Sequence, residues 1–345
     1  MNKIKDNMAV TINDIARLAQ VDKSTVSMTL RNHPNARNLR AETRERIRRI
    51  AAELGYRSNA GAVAIRTGKV NMIALIADAA SGGRLLLSMN LTGILQEASQ
   101  FNYGIKIYSD ADLDDVFGEI NSNRIDFVLS MSVDHAKREI TANHARRLGL
   151  HLVFLYEHPH EEFPCVNLDN VRAGEIAVEH LASLGHRRIA LACSTHLFFY
   201  QKERHQGFLS GMQRAGLTVD PELICCGTDD LEDGIRRVLS LPENQRPTAF
   251  FCIADALAMQ VQRIAVRLGL NLPEELSVVG LGNTESCRYA FVPLTSIDEN
   301  FEERGHQAVD LVLGKLPDAQ RLEDGYYLTV PRLIVRESTS RVKTE

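Results

Sequence analysis

The 345-residue sequence predicts an N-terminal all-α unit followed by a two-lobed α/β body with parallel sheets. Three observations carry this reading. Apolar residues recur at helical spacing from Thr11 to Leu54, and from Met72 onward near-continuous apolar runs alternate with amphipathic stretches. The charge is also divided. The whole chain carries −4, yet residues 1–69 hold 14 Lys and Arg against 6 Asp and Glu, a net +8, which leaves −12 on the rest. A basic unit joined to an acidic body is expected to meet a polyanion through the first part alone.

The N-terminal elements follow in order. Thr11 is an N-cap for a helix with Ile12, Ile15, Ala16 and Ala19 at helical spacing. After a break at Gln20-Val21, Asp22 caps a second helix with Val26 and Leu30 inward, ended by the turn residues Asn32-His33-Pro34-Asn35. A third runs from Glu42 to Leu54, with Ile47, Ile50, Ala51 and Leu54 on one face and Gly55 closing it. Two short helices across a tight break make a helix-turn-helix, whose second helix presents its N-terminal residues to base edges in a major groove. That points Lys23, Ser24, Thr25 and Ser27 at DNA, where hydroxyls bond bases or phosphates and Lys23 reaches guanine acceptors or a phosphate. On these residues alone, a solvated helical bundle with only surface charge stays open. The Ala-rich stretch from Asn59 to Arg66 has its helix propensity weakened by Gly61, Val63 and Ile65, and reads as a linker that orders on contact.

In the body, strands are expected at Met72–Ala77, Gly104–Tyr108, Phe127–Met131, Leu152–Leu155, Ile189–Ala192, Ala249–Ile253 and Ser277–Leu281. Helices are expected between them, including Leu91–Phe101, Ala173–Leu184, Phe208–Ala215 and Leu257–Leu268. Continuously apolar strands separated by helices mean parallel sheets covered on both faces, with ligands at the carboxyl ends of strands in a cleft between lobes. The six cysteines (Cys165, Cys193, Cys225, Cys226, Cys252, Cys287) lack CxxC spacing and read as small core residues of a reducing cytoplasm, not a disulfide framework. No apolar run approaches the roughly 18 residues of a membrane helix, and residues 1–8 have no secretory apolar region.

The GxxxxGK[ST], GxSxG and HExxH signatures are absent, so no enzyme and no cofactor is expected. His158-Pro-His160 with Glu161, Glu162 and Cys165 reads as a solvated loop in preference to a metal cluster, and no metal is expected. His186 reads as a capping or packing residue. The tail from Val335 has no leucine heptads, so a dimer is expected and a coiled-coil tetramer is not.

Several motifs together resemble the LacI/GalR family of bacterial transcription repressors. In the headpiece these are Thr11-Ile-Asn-Asp-Ile-Ala-Arg-Leu-Ala19, Val21, Ser24-Thr-Val-Ser27, Glu42-Thr-Arg-Glu-Arg46 and Ala52-Glu-Leu-Gly-Tyr56, with Asn59 to Gly68 looking like that family's hinge helix. Further on, Asp169-Asn-Val-Arg-Ala-Gly174, Glu179-His-Leu181, Leu184-Gly-His-Arg-Arg-Ile189, Arg204-His-Gln-Gly-Phe208, Ser277-Val-Val-Gly280 and Pro293-Leu-Thr295 match its effector domain in order. The resemblance implies a headpiece at 9–57, a hinge at 58–69 and a periplasmic-binding-protein-like effector and dimerisation domain at 70–340. Lobe 1 would take about 70–166 and 297–326, and lobe 2 about 167–296 and 327–340, with crossovers near Asn167, Ile297 and Tyr327. It implies a cytoplasmic, nucleoid-associated homodimer on a pseudo-palindromic double-stranded operator, with a small-molecule effector between the lobes and no membrane. The DNA contacts it implies are Thr11, Arg17, Lys23, Ser24, Thr25, Ser27, Arg31, Tyr56, Asn59, Ile65 and Arg66, with Ile65 the minor-groove wedge in place of the family's Leu.

Departures from the family pattern bear on both sites. Met28 stands for a DNA-contacting Arg, Gln20 for a turn Gly and Ser58 for a Pro. In the pocket Arg204 matches the family's ligand-binding arginine, but Gly282 stands for an Asp, Ala254 for an Asn beside a retained Asp255, Asp229 for an aromatic platform and Tyr156 for an Asp. The Asp78–Arg84 loop is longer than usual and lacks Asn-Pro-Phe-Phe. Loss of these contacts argues against a free sugar. Two readings remain: a sugar derivative or other metabolite held by Arg204, Asp229, Tyr156, Asp255, Asn283 and Arg84, or a degenerate pocket controlled by a partner protein. The alternative from another class is a solute-binding protein or sugar-acting enzyme of the same two-lobed fold, against which the basic headpiece argues.

Overall fold

A computed structural model describes residues 10–30, 34–56, 70–78, 81–194, 198–226, 231–315 and 325–342, with the backbone alone at 34, 37 and 81–84. The chain divides into two compact units, Met1–Val70 and Asn71–Glu345. The first holds α1 (Ile12–Ala19), α2 (Lys23–Leu30) and α3 (Ala41–Glu53), with a 3-10 turn at Pro34–Asn38. Thr11 caps α1 through a reciprocal box: the Asp14 N–H donates to Thr11 Oγ1, and the Thr11 N–H donates to Asp14 Oδ2 at 3.0 Å. The Thr11 hydroxyl and then the Thr11 N–H, both donating to the Asp14 carboxylate, hold that carboxyl below its ordinary pKa. Gln20 closes α1 in the left-handed region (φ 52°), its N–H reaching the carbonyls of Ala16 and Arg17. Ile15, Ala16, Ala19, Val26, Ile47 and Ala51 form the core of this unit.

The second unit has two six-stranded sheets. The first contains β1 (Met72–Ala77), β2 (Gly104–Ser109), β3 (Phe127–Ser130), β4 (His151–Leu155), β5 (Cys165–Leu168) and β11 (Tyr326–Thr329), in the order β11-β5-β4-β3-β1-β2, all parallel. The second contains β6 (Ile189–Ala192), β7 (Ile224–Cys225), β8 (Ala249–Cys252), β9 (Ser277–Gly282), β10 (Thr295–Asp298) and β12 (Arg332–Ile334), in the order β12-β10-β9-β8-β6-β7. Here the edge strand β12 runs antiparallel to β10.

The seven apolar runs are all strands. The five further strands are short, and three carry buried polar residues that break the apolar pattern: Asn167 in β5, Thr295 and Ser296 in β10, and Thr329 in β11. The chain passes between the sheets after Leu168, after Asp298 and after Thr329, one to two residues beyond the expected crossovers. The helix Phe301–Val312 packs on the helix Ser81–Gln100, which ties the returning segment to the first lobe. Ser81–Gln100 starts ten residues before the expected Leu91, so the second half of the supposed Asp78–Arg84 loop is the first turn of this helix. Likewise Phe199–Arg214 begins nine residues before Phe208.

One cysteine expectation is corrected. Cys193 and Cys226, one residue beyond the paired ends of β6 and β7, are bonded sulfur to sulfur, while Cys165, Cys225, Cys252 and Cys287 are free and buried. The Cys165 thiol turns inward to the Tyr156 carbonyl, so it does not join His158 and His160. His186 is buried among Thr248 Oγ1 (2.9 Å), Ser277 Oγ (3.0 Å) and the Ser340 carbonyl (3.1 Å), pinning the start of β6 to β9 and the C-terminal segment. Among the described residues no helix is long and apolar enough to cross a membrane.

Candidate DNA-binding face and effector cleft

In the first unit, α2 packs against both α1 and α3 and leaves its N-terminal turn outward. Lys23 and Ser24 are exposed and Thr25 is half-buried. Ser27, expected at the groove, turns inward and is only 9% exposed, because contact with two helices buries an arc that includes Val26, Ser27 and Thr29. Arg17 projects from α1 and forms an ion pair with Asp14 at 3.3 Å on an exposed face. Thr11 is occupied as the helix cap, and Tyr56 packs half-buried on the core. Arg31, Asn59, Ile65, Arg66 and the 58–69 hinge lie outside the described residues, as does Asp229. Arg84 belongs to the helix Ser81–Gln100, but its side chain is also outside them.

In the second unit a cleft of about 500 Å³ opens between the lobes. The first lobe supplies Leu85, Leu86 and Met89 from one helix, and Met131, Val133 and Tyr156 from the carboxyl ends of β3 and β4. The second lobe supplies Phe198, Tyr200, Gln201 and Arg204 at the start of the helix Phe199–Arg214, with Ile253, Asp255, Met259 and Leu281. Glu299 and Phe301 stand at the crossover between them. An adjoining groove of about 980 Å³ runs along the same crossover and shares Met89, Thr284 and Phe301 with the cleft.

Arg204 is fully engaged. Its Nε donates to Asn170 Oδ1 (2.9 Å), Nη1 to the Ile253 carbonyl (2.9 Å), and Nη2 lies 2.8 Å from Glu299 Oε1. The guanidinium also lies over the Tyr200 ring, whose hydroxyl burial pushes up to about 12. Glu299 also accepts from Arg304, a fully buried residue of the first-lobe helix Phe301–Val312 that sits over the Tyr156 ring. Tyr156 accepts a hydrogen bond from Asn90 at its hydroxyl oxygen, so its polar end is tied to the first lobe. Beside it, Glu157 accepts the Phe199 N–H at 3.1 Å, placing a first-lobe carboxylate at the N-terminus of a second-lobe helix. Burial raises the Glu157 pKa.

Residues 11–59 match the bacterial regulatory proteins of the lacI family, and residues 178–339 match the periplasmic binding protein-like domain. The transcriptional regulator DegA of Bacillus subtilis (strain 168) and the transcriptional repressor CytR of Escherichia coli (strain K12) are each 28% identical over 98% of this chain, covering 100% and 99% of their own lengths. Along nearly its whole length the chain is similar to LacI-family regulators. A lac repressor dimer bound to operator and the anti-inducer ONPF shares the fold, with a TM-score of 0.71 at 21% identity over 96% of this chain and 99% of that one.

Against the LacI-family pattern, the remaining pocket positions find physical reasons. Asp255 lines the cleft, but its oxygens accept from Ser296 Oγ (2.6 Å) and the Thr284 N–H (2.8 Å), so it braces β9 and β10. Asn283 faces the adjoining groove, where its side-chain oxygen accepts from Arg336 at 2.6 Å, and it does not line the cleft. Gly282 has φ 133°, a region that L side chains rarely adopt, and a Cβ there would stand 2.8 Å from Asp255 Oδ2. Aromatic walls were missed in the sequence: Phe198 and Tyr200 stack with centroids 5.9 Å apart, and Phe301 faces the same cleft. A Phe-Phe-Tyr run opening a helix that carries Arg204 two turns in was the available signal.

Proposed function

We propose that this chain is a LacI-family, sequence-specific DNA-binding transcription repressor of the cytoplasm and not an enzyme, docking as a homodimer on a pseudo-palindromic operator. The exposed N-terminal turn of α2, with Lys23 and Ser24 outward on a unit of net +8, carries this reading. Such a turn is the part of a helix-turn-helix that meets base edges. Tyr289 and Phe291, 78% and 71% exposed on adjoining turns of the second lobe, support a surface for a second copy. Operator selection from random duplexes followed by fluorescence anisotropy tests the DNA reading. Lys23→Ala changes base preference if Lys23 reads bases, and weakens all duplexes alike if it holds a phosphate.

The cleft is proposed to take a metabolite with an aromatic or alkyl body and few polar groups. Its walls are largely apolar and aromatic, and the Arg204 charge is partly met by Glu299, which weakens its pull on an anion. A thermal-shift screen of the full chain should favour such compounds over free sugars, and Phe198→Ala should abolish the shift. Free sugars giving the larger shift would contradict the assignment.

A further inference from the structure

Strand register brings two sulfurs together at the carboxyl ends of β6 and β7. Ala192 pairs with Cys225, so the next residues, Cys193 and Cys226, stand side by side on one face, with their Cα atoms 4.8 Å apart. The Cys193 N–H donates to the Cys225 carbonyl at 3.0 Å, which keeps this register to its end. The helix Phe199–Arg214 covers that face: Phe208 packs in the same core cluster as Cys193, and His205, one turn earlier, reaches the sulfurs. The ligating atoms of Cys193, His205 and Cys226 all lie within 4.8 Å of one another. A disulfide requires the sulfurs alone. A nitrogen donor delivered to the same point by a separate rigid element is what a thiophilic cation requires.

We propose that Cys193, Cys226 and His205 form, in the reduced protein, a binding site for a thiophilic divalent metal ion of the zinc class. The bonded sulfurs are the oxidised form of the pair. A dithiol reductant supplies two electrons and two protons to give two thiols, and the metal then displaces both thiol protons as two thiolates and a neutral imidazole bind it. Three protein ligands leave a fourth tetrahedral position to water. The site joins β6 and β7 to the helix whose first turns carry Phe198, Tyr200, Gln201 and Arg204, and Ser194, next to Cys193, donates to Gln201 at 3.0 Å. A bound metal therefore braces one wall of the cleft. The inference is independent of the DNA-binding reading.

Cobalt(II) titration of the full-length protein, reduced with a dithiol and exchanged into anaerobic reductant-free buffer, tests this. The expected result is one equivalent bound, with near-ultraviolet thiolate-to-metal charge transfer and visible bands of a tetrahedral ion, both removed by zinc. His205→Ala and Cys226→Ser, at positions only partly buried, should each weaken binding by about 100-fold or more, with circular dichroism reporting the fold. Thiol titration in denaturant, after anaerobic reduction of the native protein, should count all six cysteines. Six free thiols without cobalt binding, a charge-transfer band unchanged in His205→Ala, or a pair that stays oxidised under native reduction each overturns the proposal.

Discussion

Arg204 and Glu299 form an ion pair at 2.8 Å with each side chain only 5% exposed, joining a second-lobe helix to the crossover between lobes. Glu299 is also 3.3 Å from Arg304 in the first lobe, so one carboxylate serves guanidinium groups from both lobes. A ligand-facing arginine held in this way acts as a wall and a lobe tie, because its guanidinium is already bonded within the protein. Removing the carboxylate leaves buried cations uncompensated, a loss that typically costs about 3–5 kcal/mol. Glu299→Gln is accordingly expected to lower the unfolding free energy of the second unit, measured by urea titration, by that order. It should also shift thermal-shift hits toward anionic compounds, which an unchanged ligand profile would contradict.

The position of Arg204 depends on a close helix crossing. A Cβ on Gly174 would stand 2.5 Å from the Arg204 carbonyl and 2.8 Å from backbone atoms of Gly207 and Phe208. Gly174→Ala forces the helices Asn170–Ser183 and Phe199–Arg214 apart, with an overpacking cost of about 1–3 kcal/mol. The expected readout is a lower melting temperature together with loss of ligand-induced stabilisation. Retention of both would show that the crossing yields without moving Arg204.

His186 makes stability depend on pH. Burial pushes its pKa down to about 4, against an ordinary 6.5, so the folded chain holds it neutral while the unfolded chain protonates it. The stabilisation is whole above 6.5 and is lost as pH falls from 6.5 toward 4, amounting to about 2 kcal/mol by pH 5. Glu203 opposes it: burial pushes its carboxyl up to about 7, a contribution present below 4.5 and lost as pH rises through 7. Comparison of wild type with His186→Asn in urea unfolding at pH 7.5 and 5 isolates the first group. The wild type should lose about 2 kcal/mol more than the variant over that interval, and parallel losses would sink the assignment.

In the headpiece, Gln20 occupies φ 52° as the residue closing α1. Glycine adopts that region without Cβ strain, so Gln20→Gly should stabilise the first unit by about 1 kcal/mol. Hydrogen exchange of the α1 and α2 amides in the full chain measures it, with slower exchange expected. Faster exchange would mean that the lost entropy of the unfolded chain outweighs the strain.

The seven apolar strands and the three headpiece helices were legible because their periodicity is unbroken. Strands β5, β10 and β11 were not, since Asn167, Thr295, Ser296 and Thr329 are buried with hydrogen bonds to residues distant in sequence, which no hydropathy pattern marks. At the candidate site, the family resemblance named Arg204 and Tyr156 but could not show that Glu299 and Asn90 already hold them. The Gly282 substitution reads in sequence as a lost contact, whereas its backbone angle here is one that favours glycine. Ser27 was placed outward from position in the motif alone, and the packing of α2 against two helices reverses that.

The central claim is that residues 1–69 read DNA for the whole chain. The direct measurement is anisotropy of the selected operator duplex, and of a scrambled duplex, with the full chain and with residues 70–345. The full chain should prefer the operator, with affinity falling steeply as salt rises, and the truncated chain should retain neither duplex. Undiminished operator preference in the truncated chain would contradict the account.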